Sequence, residues 1–217
     1  MRQVTDDFLE KIRPYVNLHE KRVLEIGCGN GSRSVEIAAL CQSLIAIEPN
    51  VELFTTACSE NLRPNITYGL DSILRFPYDP RSFDVTIFTL SLHHIPEELM
   101  ARAIDRAVEA THPEGAIIFL EPWFLGPFFS AEQQFDACDG DERANKAAAY
   151  RAILNHPRLE EQVEITGQTT FQFDSPQDFM DSMRPQRNTE RVIAFLRKHK
   201  YQLKAPRRIT VCTPAAR

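Results

Sequence analysis

No stretch of the 217 residues approaches the roughly 20 consecutive apolar residues that a bilayer-spanning helix needs. The five cysteines, Cys28, Cys41, Cys58, Cys138 and Cys212, form no Cys-x-x-Cys pair and no Cys/His cluster. That spacing argues against a structural zinc and fits reduced thiols. Internal repeats and low-complexity tracts are also missing. At the amino end, Met1 to Glu10 carries Asp6 and Asp7 where a secretory leader would have its apolar stretch, so a cytoplasmic location is expected. What is there suits a globular chain: 43% hydrophobic and 25% charged residues, with a formal net charge of −5. The charge is uneven. From Arg184 to Arg217 the residues are strongly basic, with Glu190 the one acid. Such a segment is either a phosphate-binding surface or a solvated helix face.

Apolar runs and amphipathic stretches alternate through the first two-thirds of the chain. Strands are predicted over Lys21–Gly27, Ser43–Glu48, Asn65–Leu70, Phe83–Leu90 and Ala116–Glu121. Helices are predicted over Ser32–Leu40, Val51–Leu62 and from Pro96 to Ala110, with His112–Gly115 a turn. This order gives an α/β fold: a doubly wound, mostly parallel sheet with helices on both faces, whose ligands sit beyond the carboxyl ends of the strands. After Glu121 the pattern changes. The aromatic, proline-broken Pro122–Phe129 precedes a mostly helical Ser130–Leu154, and Pro176–Met183 and Thr189–Lys200 are further helices. Val163–Phe173 alternates in parts, and Arg207–Cys212 is a final strand.

The most informative stretch is Val23-Leu-Glu-Ile-Gly-Cys-Gly-Asn-Gly31. Glycines 27, 29 and 31 allow a tight turn after the first strand and close approach of a ligand to backbone. Alone, they would serve a dinucleotide equally well. Their surroundings shift the balance. Glu25, just before the turn, can face a cationic ligand such as an amino group. Glu48 ends the second strand, about 20 residues on, where a carboxylate can accept from ribose hydroxyls. Asp71 ends the third and can accept from an adenine amino group. Three carboxylates at successive strand ends suit a positively charged nucleoside and repel a pyrophosphate, the chemical profile of S-adenosylmethionine. Glu25 as a strand or capping residue and Asp71 as a turn former are the alternatives.

The sequence resembles a class I S-adenosylmethionine-dependent methyltransferase. Val23–Gly31 is similar to that family's first motif, Ile45-Ala-Ile-Glu48 to its second, Phe83–Ile95 to its fourth-strand motif and His112–Phe119 to the turn and fifth strand that follow. The likeness covers residues 20 to 121. It implies a Rossmann-like fold with an antiparallel C-terminal strand. It also implies S-adenosylmethionine as cofactor, with S-adenosylhomocysteine as product. Gly27 and Gly29 would border the methionine part, Glu48 the ribose, Asp71 with Ser72 the adenine, and Leu90 would lie close by. The chain is expected to be one domain: an N-terminal helix or lid over 1–20, a cofactor core over 21–121, and an acceptor-side lid with closing strands over 122–217. The family's closing hairpin is not evident, because helices separate the last two strands.

Methyl transfer from a sulfonium is an in-line displacement that needs alignment above all, with a base where the nucleophile is a hydroxyl. His93 and His94 follow the fourth strand, on the acceptor side, and either is a candidate base, with packing or capping as the alternative role. Glu121 points to the same side as a substrate or strand-capping residue. Trp123 and its aromatic neighbours, with Phe8, Ile12 and Tyr15 of an N-terminal helix, suit a planar or apolar acceptor or else close the core. No metal site is expected. Thr89-Leu-Ser-Leu92 lacks the Asn/Asp-Pro-Pro-Tyr/Phe motif of base-modifying relatives, and the net charge is negative. A small-molecule acceptor is therefore expected, with neither membrane nor nucleic acid as partner. A tRNA or protein methyltransferase using the basic C-terminal region, or a non-catalytic S-adenosylmethionine-binding protein, is the alternative.

Overall fold

The computed structural model describes residues 1–138 and 140–215. Residues 139, 216 and 217 of the expected acceptor-side segment lie outside the described residues. Eight strands form one sheet: β1 (Arg2–Asp6), β2 (Arg22–Ile26), β3 (Ser43–Ile47), β4 (Ile66–Gly69), β5 (Phe83–Thr89), β6 (Thr111–Pro122), β7 (Leu159–Gln172) and β8 (Gln202–Pro214). Their spatial order is β1-β7-β8-β6-β5-β2-β3-β4. The block from β6 to β4 is parallel, while β8 runs antiparallel to both β6 and β7. Successive strands are added to one side of β2 and then, from β5, to the other, and this reversal of strand order opens a crevice beyond the carboxyl ends of β2 and β5.

Parallel strands covered on both faces must be apolar throughout, and β5 (Phe-Asp-Val-Thr-Ile-Phe-Thr) is buried along almost its whole length. One face of the sheet presents Leu24, Phe88, Ile117 and Phe119 to α4 (Glu97–Ala110) and α6 (Arg143–Leu154). The other presents Val23, Ile87 and Ile118 to α1 (Phe8–Ile12) and α2 (Ser32–Ala38). The remaining helix of the parallel half, α3 (Val51–Glu60), is capped by Asn50, whose side chain accepts from the amides of Glu52 and Leu53. His112–Gly115 is looped out of register inside β6: Phe83 pairs with Thr111, but Val85 pairs with Ala116.

The structure corrects two expectations. The closing hairpin is present: β7 and β8 pair antiparallel from Leu159–Pro214 to Gln172–Gln202, and α7 (Pro176–Met183) and α8 (Val192–Lys198) lie in the connection that joins them. The N-terminal segment is more than a helix, since β1 pairs with the edge of β7, from Arg2–Gln172 to Asp6–Thr169. Beside the sheet, α5 (Gly126–Phe135), α7 and α8 close around their own aromatic core of Phe135, Phe173, Phe179 and Phe195. No helix among the described residues is long and apolar enough to cross a membrane.

Candidate functional site

The turn after β2 packs against the loop after β5 so closely that Gly27 admits no side chain. A Cβ there would lie 2.2 Å from the Cβ of Ser91, and its φ is +74°. Gly29, at φ +58°, is different: a Cβ would meet nothing within 4 Å, because the space beside it is an open cleft. The turn is tied to β3 by the amides of Gly27 and Cys28, which donate to the Ile47 carbonyl at 2.8 and 3.1 Å. The Gly29 amide donates to Oε2 of Glu48 at 2.9 Å, and the Asn50 amide donates to Oε1 at 2.9 Å. Two backbone donors therefore fix that carboxylate at the cleft wall, which leaves its remaining lone pairs in a set direction.

Glu25, on β2, is fully buried. Its Oε2 accepts from the Ser34 hydroxyl at 2.5 Å, while Oε1 has no hydrogen-bond partner. Burial pushes its pKa up, with the Ser34 hydrogen bond and nearby Arg33 opposing. A buried carboxylate oxygen with no partner is costly unless a donor arrives from the cleft it lines. The neighbouring Cys28 thiol is also pushed well up by burial, then by Glu25 and Glu48, so it is no nucleophile. Asp71 accepts from the Ser72 amide at 2.8 Å and from Arg75 at 3.3 Å, with its side chain partly exposed. Leu90, at φ +55°, donates its amide to Leu120 at 2.8 Å and closes the far wall.

These residues surround a cleft of about 360 Å³ beyond the carboxyl ends of β2 to β5. Glu25, Gly27, Gly29, Glu48, Asp71, Ser72 and Leu90 all line it, and so does His94. The unsatisfied Glu25 oxygen, the fixed Glu48 carboxylate and the bare Gly29 backbone together fit a cationic, ribose-bearing ligand. The sequence reading missed Arg33, Thr89 and Ser91. Arg33 follows the glycine turn and is held to Asp6 of β1 at 2.5 Å, a contact across 27 residues that no local pattern signals. Thr89 and Ser91 donate hydroxyls to the Gly27 and Ile26 carbonyls at 2.9 and 2.6 Å.

The acceptor-side residues divide. His93 is buried behind the cleft, with its Nδ1 2.5 Å from Oε2 of Glu121. The Leu92 amide occupies the other oxygen of Glu121 at 2.9 Å. Glu121 is thus buried and committed to the chain, which corrects the expectation that it faces the cleft. Glu121, together with Glu142, works against the desolvation of His93 and raises its pKa above the ordinary histidine value. Tyr15 is also corrected. The helix ends at Ile12, and the chain must then reach the amino end of β2, so Tyr15 sits beside Lys21, Arg22 and Asp84, at the opposite end of the strands from the cleft. Trp123 stands over the guanidinium of Arg208 at 4.8 Å, and Tyr150 covers the same group at 3.5 Å. Phe128 packs on Phe171 in the aromatic core of the helical excursion.

A charged cluster on α5 and α6 was not foreseen. Lys146 is buried and lies 3.3 Å from both Glu132 and Glu142, and Glu142 in turn approaches His94 Nδ1 at 3.5 Å and His93 Nε2 at 3.9 Å. The available signal was the placement of Lys146 on the apolar face of α6, with Ala149 and Ile153.

Residues 23–115 match the family model described as a methyltransferase domain. Over those residues the chain is similar to class I S-adenosylmethionine-dependent methyltransferases, whose sheet and crevice it shares. An uncharacterized methyltransferase of Oceanobacillus iheyensis is 25% identical over 56% of this chain and 56% of its own length. The 27-O-demethylrifamycin SV methyltransferase of Amycolatopsis mediterranei is 27% identical over 69% of this chain and 58% of its own. The match thus spans little more than half the length of these curated relatives. In fold, the chain is similar to the N-methyltransferase NodS of Bradyrhizobium japonicum, solved with S-adenosyl-L-homocysteine. The TM-score is 0.55 at 16% identity, over 96% of this chain and 85% of that one.

Proposed function

We propose that this chain transfers a methyl group from S-adenosylmethionine to a small-molecule acceptor. The observation that carries the reading is the Glu48 carboxylate, held by the Gly29 and Asn50 amides in a cleft that Glu25 and Asp71 also line. Glu48 and Asp71 would receive the ribose hydroxyls and the adenine, and Glu25 an ammonium. When bound, S-adenosylmethionine supplies a methyl on a sulfonium, open to in-line displacement. Of the two histidines, His94 lines the cleft and is the one proposed to meet the acceptor. The rifamycin relative's name describes action on a small molecule, which supports that acceptor class. Within the basic C-terminal segment, Arg207 is buried and Arg208 is enclosed by two aromatic rings, which withdraws those two from a phosphate backbone.

Calorimetry tests the reading. S-adenosylmethionine and S-adenosylhomocysteine should bind with micromolar affinity, and Glu48→Ala should weaken both about tenfold or more, as expected for loss of charge-assisted hydrogen bonds. Binding of NADH in place of both ligands would overturn it.

A further inference from the structure

We propose that His93, His94 and Glu142 form a three-ligand site for a divalent ion of the zinc, cobalt or iron(II) kind at the mouth of the cleft. His94 Nδ1 lies 3.5 Å from Oε1 of Glu142, and His93 Nε2 lies 3.9 Å from Oε2. One ligand atom from each of the three residues falls within 4.8 Å of the others. Ligands about 2.1 Å from a tetrahedral ion stand about 3.4 Å apart, so donors that lie within 4.8 Å of one another need to draw together by at most about 1.4 Å.

Two further observations distinguish this cluster from a chance meeting of polar groups. First, Glu121 holds Nδ1 of His93 at 2.5 Å and is itself fixed by the Leu92 amide. A carboxylate on Nδ1 keeps the proton of that nitrogen in place, so a metal ion would displace only a proton of Nε2, the nitrogen that faces Glu142; metal-binding histidines are oriented in this way. Second, the site is dry on one side and open on the other. His93 is buried, whereas the His94 side chain is 51% exposed and lines the cleft. Lys146, shared between Glu132 and Glu142, steadies the carboxylate from behind. Two imidazoles and one carboxylate suit these borderline ions and not magnesium or calcium, which prefer an all-oxygen shell.

A fourth position left open toward the cleft is the arrangement of catalytic metal sites. An acceptor hydroxyl or thiol placed there would lose its proton to solvent more readily, as metal-bound water does. Its oxygen or sulfur would then form the new bond to the methyl carbon as the carbon–sulfonium bond breaks, the electron pair staying on the departing thioether. Metal binding stands independently of the transferase reading; only this acceptor role rests on it.

The test uses the full, tag-free chain, stripped with a chelator and titrated with zinc by calorimetry and with cobalt(II) by visible absorption. One equivalent should bind, with the intense visible bands of a low-coordinate cobalt site. His94→Ala and Glu142→Gln should each abolish those bands. Glu121→Gln, a positioning change, should weaken zinc by about 10- to 100-fold. Absence of stoichiometric binding by the wild-type chain, or unaltered binding in both His94→Ala and Glu142→Gln with native circular dichroism, would overturn the proposal. Titration of Glu142→Gln and wild type with S-adenosylmethionine in the same calorimeter separates the two readings. Loss of metal with cofactor binding intact concerns this site alone, whereas failure of cofactor binding in the wild type concerns the transferase.

Discussion

Glu25 is where the cost of the cleft is concentrated. Burial raises its pKa, so folding favours the protonated carboxyl. The associated stability is complete below the ordinary carboxylate range and is lost as pH rises through the raised value. Glu25→Gln removes this dependence. At neutral pH the ligand-free variant should melt about 2–4 °C above wild type, with the gap closing in acid. Its affinity for S-adenosylmethionine should fall about tenfold, because the amide no longer meets an ammonium with a full charge. Thermal melts across pH, with calorimetry at neutral pH, check both halves. Equal affinity in the two proteins would remove Glu25 from the ligand's contacts.

The glycine turn acts as an element because its residues face different neighbours. Gly27→Ala drives a methyl into Ser91 and holds a left-handed φ, so a loss of about 2–4 kcal/mol is expected in urea unfolding. Gly29→Ala meets no atom, and only backbone strain of about 1 kcal/mol should appear. Its methyl projects into the cleft, however, so S-adenosylmethionine binding should be lost out of proportion to stability. A Gly29→Ala protein that keeps wild-type affinity would place the ligand elsewhere. The hairpin of β7 and β8 illustrates the opposite case. The 29 residues between Gln172 and Gln202 fold into α7 and α8, and local periodicity reports those helices without reporting that the strands on either side pair. The pairing is dictated by burial of Ile165, Ile209 and Val211 against the same sheet face.

At the scale of the molecule, the basic C-terminal segment is not one surface. Arg191, Arg197 and Lys198 are exposed, while Arg207 lies in the interior, where burial lowers its pKa to about 10. Neutralising Arg191, Arg197 and Lys198 should leave turnover of a small-molecule acceptor within about twofold, since isolated surface charges contribute little. A retained affinity for tRNA that falls steeply with salt, and that these substitutions abolish, would favour the nucleic-acid reading instead.

The same scale separates what was legible from what was not. The strand–glycine turn–helix unit and the carboxylates at the ends of β2, β3 and β4 could be read from the chain. Each depends on a few residues inside one βα repeat, and parallel connectivity carries every strand end to the same crevice. The acceptor side could not be read this way. Glu121 meets His93 across 28 residues, and Glu142 reaches both histidines from the residue that precedes α6. Tyr15 and Trp123 have the right chemistry for an acceptor pocket, but chain direction takes one to the far end of the sheet and Arg208 engages the other. The sequence by itself determined the parallel sheet and its cofactor crevice, because hydrophobic period and glycine geometry act over short range. Only the tertiary structure decided which charged groups stand around the histidine pair, because those contacts exist only once α5 packs on β8 and α6 on the Leu92–His94 turn.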